Sequence, residues 1–322
     1  MFNQRKVGII GAGHVGSHCA LSLILQGVCD EIVFVDIDKN KAQSQALDCM
    51  DTVAFLPHRA KIKRGEIKDL REMDIIVISV GTIDNISKNR LSELEGSLNM
   101  IKSFIPDIMK TGFKGYFVVI TNPVDIVTYF VQKLSGLPHN HVIGTGTGLD
   151  SARLRRTLST KLNIDAKSIQ AYMLGEHGDS QMGVFSQTTI NGIELNKFLE
   201  KTKLNIDLDE VENIVTKAGW EIYSGKKSTE FGIACVCTEI IRAIYSDEKK
   251  VMACSGYLQG HYGNYGVYTG VPVIIGKHGV ENILELELNE KEKDKFNKTI
   301  EIIKKHIEIG SEILDETTCI NF

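Results

Sequence analysis

No stretch of the chain stays apolar for anything near the roughly 20 residues that a bilayer-spanning helix needs. Charge of one sign is scarce as well: 37 Lys and Arg stand against 41 Asp and Glu, a formal net charge of -4. That balance gives no electrostatic case for nucleic acid or an anionic membrane as partner. Cysteine offers no framework either. The seven (Cys19, Cys29, Cys49, Cys235, Cys237, Cys254, Cys319) are odd in number and scattered. They form no C-x-x-C pair and no zinc-spaced cluster, so they read as buried thiols in a reducing cytoplasm. His139 and His141 form an H-x-H in a Pro-Asn turn without carboxylates, a loop and not a metal site. A working motif begins by Lys6, leaving no room for a cleavable signal peptide. Internal repeats, low-complexity stretches and Pro/Ser-rich linkers are also missing. Two halves are therefore expected to pack tightly around a site between them.

What is present is ordinary globular composition, 43% hydrophobic and 24% charged over 322 residues, enough for two domains or one large one. The run Lys6-Val7-Gly8-Ile9-Ile10 leads into Gly11-Ala12-Gly13-His14-Val15-Gly16 and then an apolar helical pattern from Val15 to Gln26. Strand, G-x-G-x-x-G and helix make a dinucleotide-binding unit. Gly11 permits the tight turn, Gly13 lets a pyrophosphate approach, and Gly16 allows close helix-strand packing. His14 and Val15 lie at the helix amino terminus, whose free N–H groups face the phosphates. Glu31 to Asp36 reads as the next strand, ending in an acid 20 residues after Gly16. A carboxylate there accepts from the adenosine ribose and repels a 2′-phosphate, which predicts NAD over NADP. Lys39 and Lys41 close behind it are read as helix-face residues.

Ile75 to Val80 is a continuous apolar run, as in a strand buried on both faces. The polar stretch after it, Gly81 to Arg90, is placed to close over a ligand beyond the strand end and can carry Arg90 into the site. A solvated surface arginine is the plainer alternative. Gly115 to Thr121 is a further buried strand. It puts Asn122 at the sheet's carboxyl edge, where its amide can contact nicotinamide or substrate. The Asn122-Pro123 turn admits a cis bond, although most X-Pro bonds are trans. Strands alternating with helices up to Gly144 predict a doubly wound parallel sheet. Residues 1–144 form the dinucleotide-binding domain on this reading, and 145–322 an α+β substrate domain.

In the second half, Ser151 to Leu162 is helical by pattern, with Asp150, Arg153 and Arg155 near its start. Asp150 suits an amino-terminal cap. Arginines there oppose the helix dipole unless they face an anion, and Arg153 can clamp a substrate carboxylate. Gly175-Glu176-His177-Gly178-Asp179 holds a histidine, able to titrate near neutrality, in a glycine-flanked polar turn. A general acid/base needs an orienting carboxylate, and Asp150 is the candidate. Phe296, Ile300, Ile303 and Ile307 mark one apolar stripe on the closing helix, read as packing.

These motifs, in this order and spacing from about Lys6 to Ile313, resemble the lactate/malate dehydrogenase family. The resemblance implies a Rossmann fold, NAD as cofactor, and His177 as proton donor and acceptor with Asp150 orienting it. It also implies Arg153 on the substrate carboxylate, Arg90 polarising the carbonyl from a closing loop, Asn122 holding that oxygen, and Thr229 lining the pocket. Asp84 falls where lactate-using members usually carry Gln and malate-using members Arg; an anion there would repel a second carboxylate. The Asn122 to Asp125 and Gly144 to Thr147 stretches look more like the branch acting on longer 2-hydroxy acids, and Ala218-Gly219 leaves room for a larger side chain. Arg155 matches one half of the family's sugar-bisphosphate site, but Gln170 stands in the other half's histidine position, which implies little activation. The expected partner is a small 2-hydroxy or 2-keto acid, and the expected assembly a cytoplasmic homodimer or homotetramer. Two rivals stand beside this reading: malate dehydrogenase, and an NAD-binding sensor without turnover.

Overall fold

Four branched apolar residues in succession, Ile75–Ile78, suit the pleat of a strand covered on both faces, and all four are buried. They form the fourth strand of the first half. The computed structural model describes residues 4–81 and 90–319. The chain opens with β1 (Lys6–Ile10), α1 (His14–Leu25), β2 (Glu31–Val35), α2 (Lys39–Thr52), β3 (Lys61–Arg64) and β4 (Ile75–Ile78). It goes on through α3 (Arg90–Lys110), β5 (Tyr116–Val119), α4 (Val124–Ser135), β6 (Val142–Gly144) and α5 (Gly148–Leu162). Strands β1 to β6 pair in parallel in the order 3-2-1-4-5-6, the doubly wound sheet the alternation predicts. Strand β3 lies in a polar stretch with no apolar pattern to announce it; its charged residues suit an edge position.

The remaining elements are short strands β7 (Ile169–Gln170), β8 (Met173–Leu174), β9 (Met182–Gly183), β10 (Thr189–Ile190) and β11 (Ile193–Glu194). Helices α6 (Leu195–Thr202), α7 (Leu208–Lys226) and α8 (Phe231–Ser246) follow. Then come the long strands β12 (Lys250–Gln259), β13 (Tyr265–Gly276) and β14 (Gly279–Ile283), and finally α9 (Glu290–Cys319). Strands β12 to β14 run antiparallel and extend the same sheet, β12 joining β6 where Ser255 faces Gly144. The main core accordingly runs through both halves, from Val7 and Phe34 to Val271 and Phe296. A smaller core gathers Leu154, Leu158, Val211 and Val215 between α5 and α7. On α9, Phe296, Ile300, Ile303 and Ile307 are all buried against the main core, the packing role expected of that stripe.

Most cysteines are buried as expected, but Cys235 is exposed on α8. His139 and His141 lie in a short turn, stacked on Tyr257 and Tyr116 respectively. Among the described residues no helix is long and apolar enough to cross a membrane.

Candidate active site

The glycine turn between β1 and α1 has the shape its sequence predicts. Gly11 adopts a φ of +97°, and a Cβ there would lie 2.2 Å from the backbone oxygen of Ser79. A Cβ at Gly16 would lie 2.0 Å from the oxygen of Gly11, so this helix can approach its strand only without a side chain. Gly13 is different: added bulk there would meet only the Lys41 ammonium, 4.0 Å away. The open face of Gly13, a helix amino terminus and a nearby cation together fit the pyrophosphate of a dinucleotide. Asp36 follows β2 and turns back on this loop, Oδ2 accepting the Ala12 N–H at 2.6 Å and Oδ1 accepting the Asp38 N–H at 2.9 Å. Lys39 pairs with Glu66, as a helix-face residue would. Lys41 departs from that expectation and lines the cavity.

That cavity, of about 740 Å³, runs from Gly13, His14 and Val15 past Asn122 to Asp150, Arg153, His177 and Thr229. Both halves of the chain contribute to it. Asn122 sits at the end of β5 in a cis Asn122-Pro123 peptide, and its carbonyl accepts the Ser97 hydroxyl at 2.6 Å. Arg90 begins α3, but its side chain lies outside the described residues, as does the whole of Asp84.

Helix α5 begins at Gly148, earlier than its apolar pattern suggests. Thr147 occupies the capping position, which removes Asp150 from that role and puts it in the first turn. Asp150 is fully buried. Its Oδ2 accepts from His177 Nδ1 at 2.5 Å and its Oδ1 from Arg153 Nη1 at 2.8 Å, three residues along the same helix. Burial works against the Asp150 charge, yet the neighbouring His177 and Arg153 outweigh it and hold the carboxyl below its ordinary range. Burial likewise disfavours the His177 imidazolium, and the Asp150 charge and hydrogen bond outweigh it and raise the ring's proton affinity. Arg153 is 7% exposed, and its Nε has no hydrogen-bond partner among the described residues. A buried, partly unpartnered guanidinium in a cavity wall is suited to an incoming carboxylate.

The His177 turn is held from three sides. Gly175 exchanges two backbone hydrogen bonds of 2.9 Å with Gly270 on β13. The Glu176 N–H donates to Thr299 Oγ1 on α9 at 3.0 Å, and the His177 N–H donates to Asp125 Oδ2 on α4 at 2.8 Å. Of the small pair on α7, Gly219 lines the cavity against Arg153, whereas Ala218 is buried away from it. Asp125 and Thr299 are site neighbours that sequence reasoning did not single out. Asp125 stands in the quoted Asn122 to Asp125 stretch, but an acid in a helix's first turn is common enough to carry no signal by itself.

Comparison with known proteins agrees with this fold. Residues 5–144 match the lactate/malate dehydrogenase NAD binding domain, and residues 147–314 the alpha/beta C-terminal domain of the same family. An L-lactate dehydrogenase of Fusobacterium nucleatum is 57% identical over 316 residues, covering 96% of this chain and 98% of that protein. The ligand-bound minor L-lactate dehydrogenase of Enterococcus mundtii superposes with a TM-score of 0.92 at 35% identity, over 95% of this chain and 98% of that one. A malate dehydrogenase of Cryptosporidium parvum superposes nearly as well, with a TM-score of 0.91 at 31% identity, over 96% and 99%. With both halves of its length matched, the chain belongs to the lactate/malate dehydrogenase family.

Proposed function

We propose that this protein is an NAD-dependent L-2-hydroxy-acid dehydrogenase of the lactate dehydrogenase type, reducing pyruvate or a longer aliphatic 2-keto acid, with His177 as proton donor. The observation that carries the reading is a buried carboxylate, Asp150, bonded at once to an imidazole and a guanidinium in the wall of a cavity that also reaches the glycine turn. Bound NADH supplies a hydride to the carbonyl carbon. Arg153 binds the substrate carboxylate through its free guanidinium edge, which fixes the keto acid's orientation. Nε2 of His177, opposite the nitrogen that Asp150 engages, donates its proton to the carbonyl oxygen and stabilises the negative charge developing there. Asn122 steadies that oxygen, Thr229 lines the side-chain end, and Arg90 polarises the carbonyl. Residues 1–144 serve the coenzyme, through Gly11, Gly13, His14, Val15, Gly16, Asp36 and Asn122, and residues 145–322 serve the substrate. We place the protein in the cytoplasm as a homodimer or homotetramer, a point that sedimentation of the purified chain tests directly.

Substrate choice rests on Asp84 and Gly219. An anion at position 84 opposes a second carboxylate, and the missing side chain at 219 leaves volume beside Arg153. The Fusobacterium nucleatum relative carries the name L-lactate dehydrogenase. A panel of 2-keto acids measured for kcat/KM with NADH tests this choice. Pyruvate or a branched keto acid is expected to turn over faster than oxaloacetate. The reverse order would favour the malate reading, which the similar fit of the Cryptosporidium parvum enzyme keeps in view. A sensor without turnover would bind NADH and reduce none of the panel.

A further inference from the structure

Asp125 is a buried carboxylate beside His177 for which the reaction as described has no use. It is the second residue of α4, three after Asn122, and 1% exposed. Oδ2 accepts the backbone N–H of His177 at 2.8 Å, and Oδ1 accepts the Ser255 hydroxyl on β12 at 2.7 Å. Both donors are neutral. An asparagine could meet them equally well, its oxygen accepting the N–H and its amide donating to a rotated hydroxyl. Hydrogen bonding by itself therefore gives no reason to bury a charge at this cost. The nearby imidazole does give one. We infer that Asp125 is a positioning residue: it holds the His177 backbone in register with Asn122 of its own turn, and its negative charge supports the imidazolium that donates the proton.

Segment 122–125 thus sets two things at once, the amide that meets the substrate oxygen and the height of the ring that protonates it. Burial outweighs the hydrogen bonds from Ser255 and His177 and lifts the Asp125 carboxyl to about 6, and the His177 and Asp125 charges each favour the other's charged form. The other groups around His177 are Asp150 and Arg153 from α5, Glu176 and Asp179 of its own turn, and His306 from α9 across the cavity. Asp125 itself is faced by His177 and Glu176, with the neutral Ser255 bonded to it. Asp150 grips the ring from the helix side; Asp125 grips the backbone and acts on the ring only through space.

The inference rests on His177 being the proton donor, and one set of variants separates the two claims. Asp125→Asn, Ser255→Ala and His177→Asn are prepared as full chains. Each is assayed for NADH affinity by fluorescence and for pyruvate kcat and KM across pH 5–9. Reduction needs protonated His177, so its rate falls as pH rises through the ring's pKa. Removing the Asp125 charge lowers that pKa, and the alkaline limb of kcat/KM should move down by about 0.5–1 pH unit in Asp125→Asn. The amide oxygen of Asp125→Asn still accepts the His177 N–H, so kcat at acid pH and NADH affinity should both stay within about twofold of wild type while the alkaline limb moves. Ser255→Ala leaves the bond to His177 in place and should give a smaller shift of the same sign, which keeps the test open if Asp125→Asn does not fold. A wild-type alkaline limb in both variants, beside an inactive His177→Asn, overturns the role of Asp125 alone. An active His177→Asn overturns the proton-donor reading beneath it.

Discussion

Both oxygens of Asp150 are engaged, one on the imidazole and one on the guanidinium. An amide in their place offers one acceptor and turns an N–H2 group toward one of two donors. Asp150→Asn should therefore lower kcat/KM for pyruvate reduction by roughly 10²-fold or more. The sign of its pH effect follows from the raised proton affinity of His177, whose causes include the Asp150 charge. Without that anion the ring loses its proton at lower pH, so the alkaline limb of reduction should move down, read from the pH profile of kcat/KM. Gly219 belongs to the same scale. A Cβ there would sit 3.6 Å from Arg153 Nη1, an ordinary contact distance, so Gly219→Ala should fold normally and only narrow the pocket. Branched keto acids should then lose roughly 10–200-fold in kcat/KM relative to pyruvate, since a methyl group's worth of space is worth roughly 1–3 kcal/mol. An unchanged ratio would remove Gly219 from the substrate site.

At the level of elements, the β1 turn and α1 meet backbone to backbone. Because the Cβ of Gly16→Ala would lie 2.0 Å from the Gly11 oxygen, the helix must back away from the strand, and NADH affinity should fall at least about tenfold by fluorescence titration. Lys41→Ala touches no packing of that kind, and should weaken NADH binding by a few-fold without changing thermal stability. This turn was legible in the sequence because its constraints are local: six residues, one strand before and one helix after. Helix α5 was legible only in part. Its apolar pattern begins at Ser151, whereas Gly148 and Leu149 join it because Thr147 takes the capping position and donates its hydroxyl to the Met173 carbonyl at 2.6 Å. Strand β3 and the short strands β7 to β11 were not legible. Two to four residues cannot show a period, and they exist because neighbours offer them a ladder.

At the scale of the whole molecule, one nine-stranded sheet and one main core run through both halves of the chain, and both halves line the cavity. The His177 turn is bound to α4, β13 and α9 at once, and its position depends on how these three distant elements pack. Regulation is argued at this scale too. Arg155 lies half-buried on α5 and Gln170 exposed on β7, and a neutral amide in the second position weakens the attraction for a polyanion. Fructose 1,6-bisphosphate should leave the apparent KM for pyruvate within about twofold; a large fall would show that other cations complete the site.

The sequence by itself determined which residue types could do which chemistry. Glycines sat where a phosphate must come close, an acid followed the second strand, a histidine lay in a turn, and arginines stood where a helix dipole disfavours them. These are local statements, written in spacings of a few residues. Only the tertiary structure decided that His177 meets Asp150 across 27 residues, Asp125 across 52, and that its turn rests on Thr299 across 123. Such pairings arise because burying charged and polar groups is costly unless each finds a partner, and packing brings those partners from segments that no sequence spacing connects.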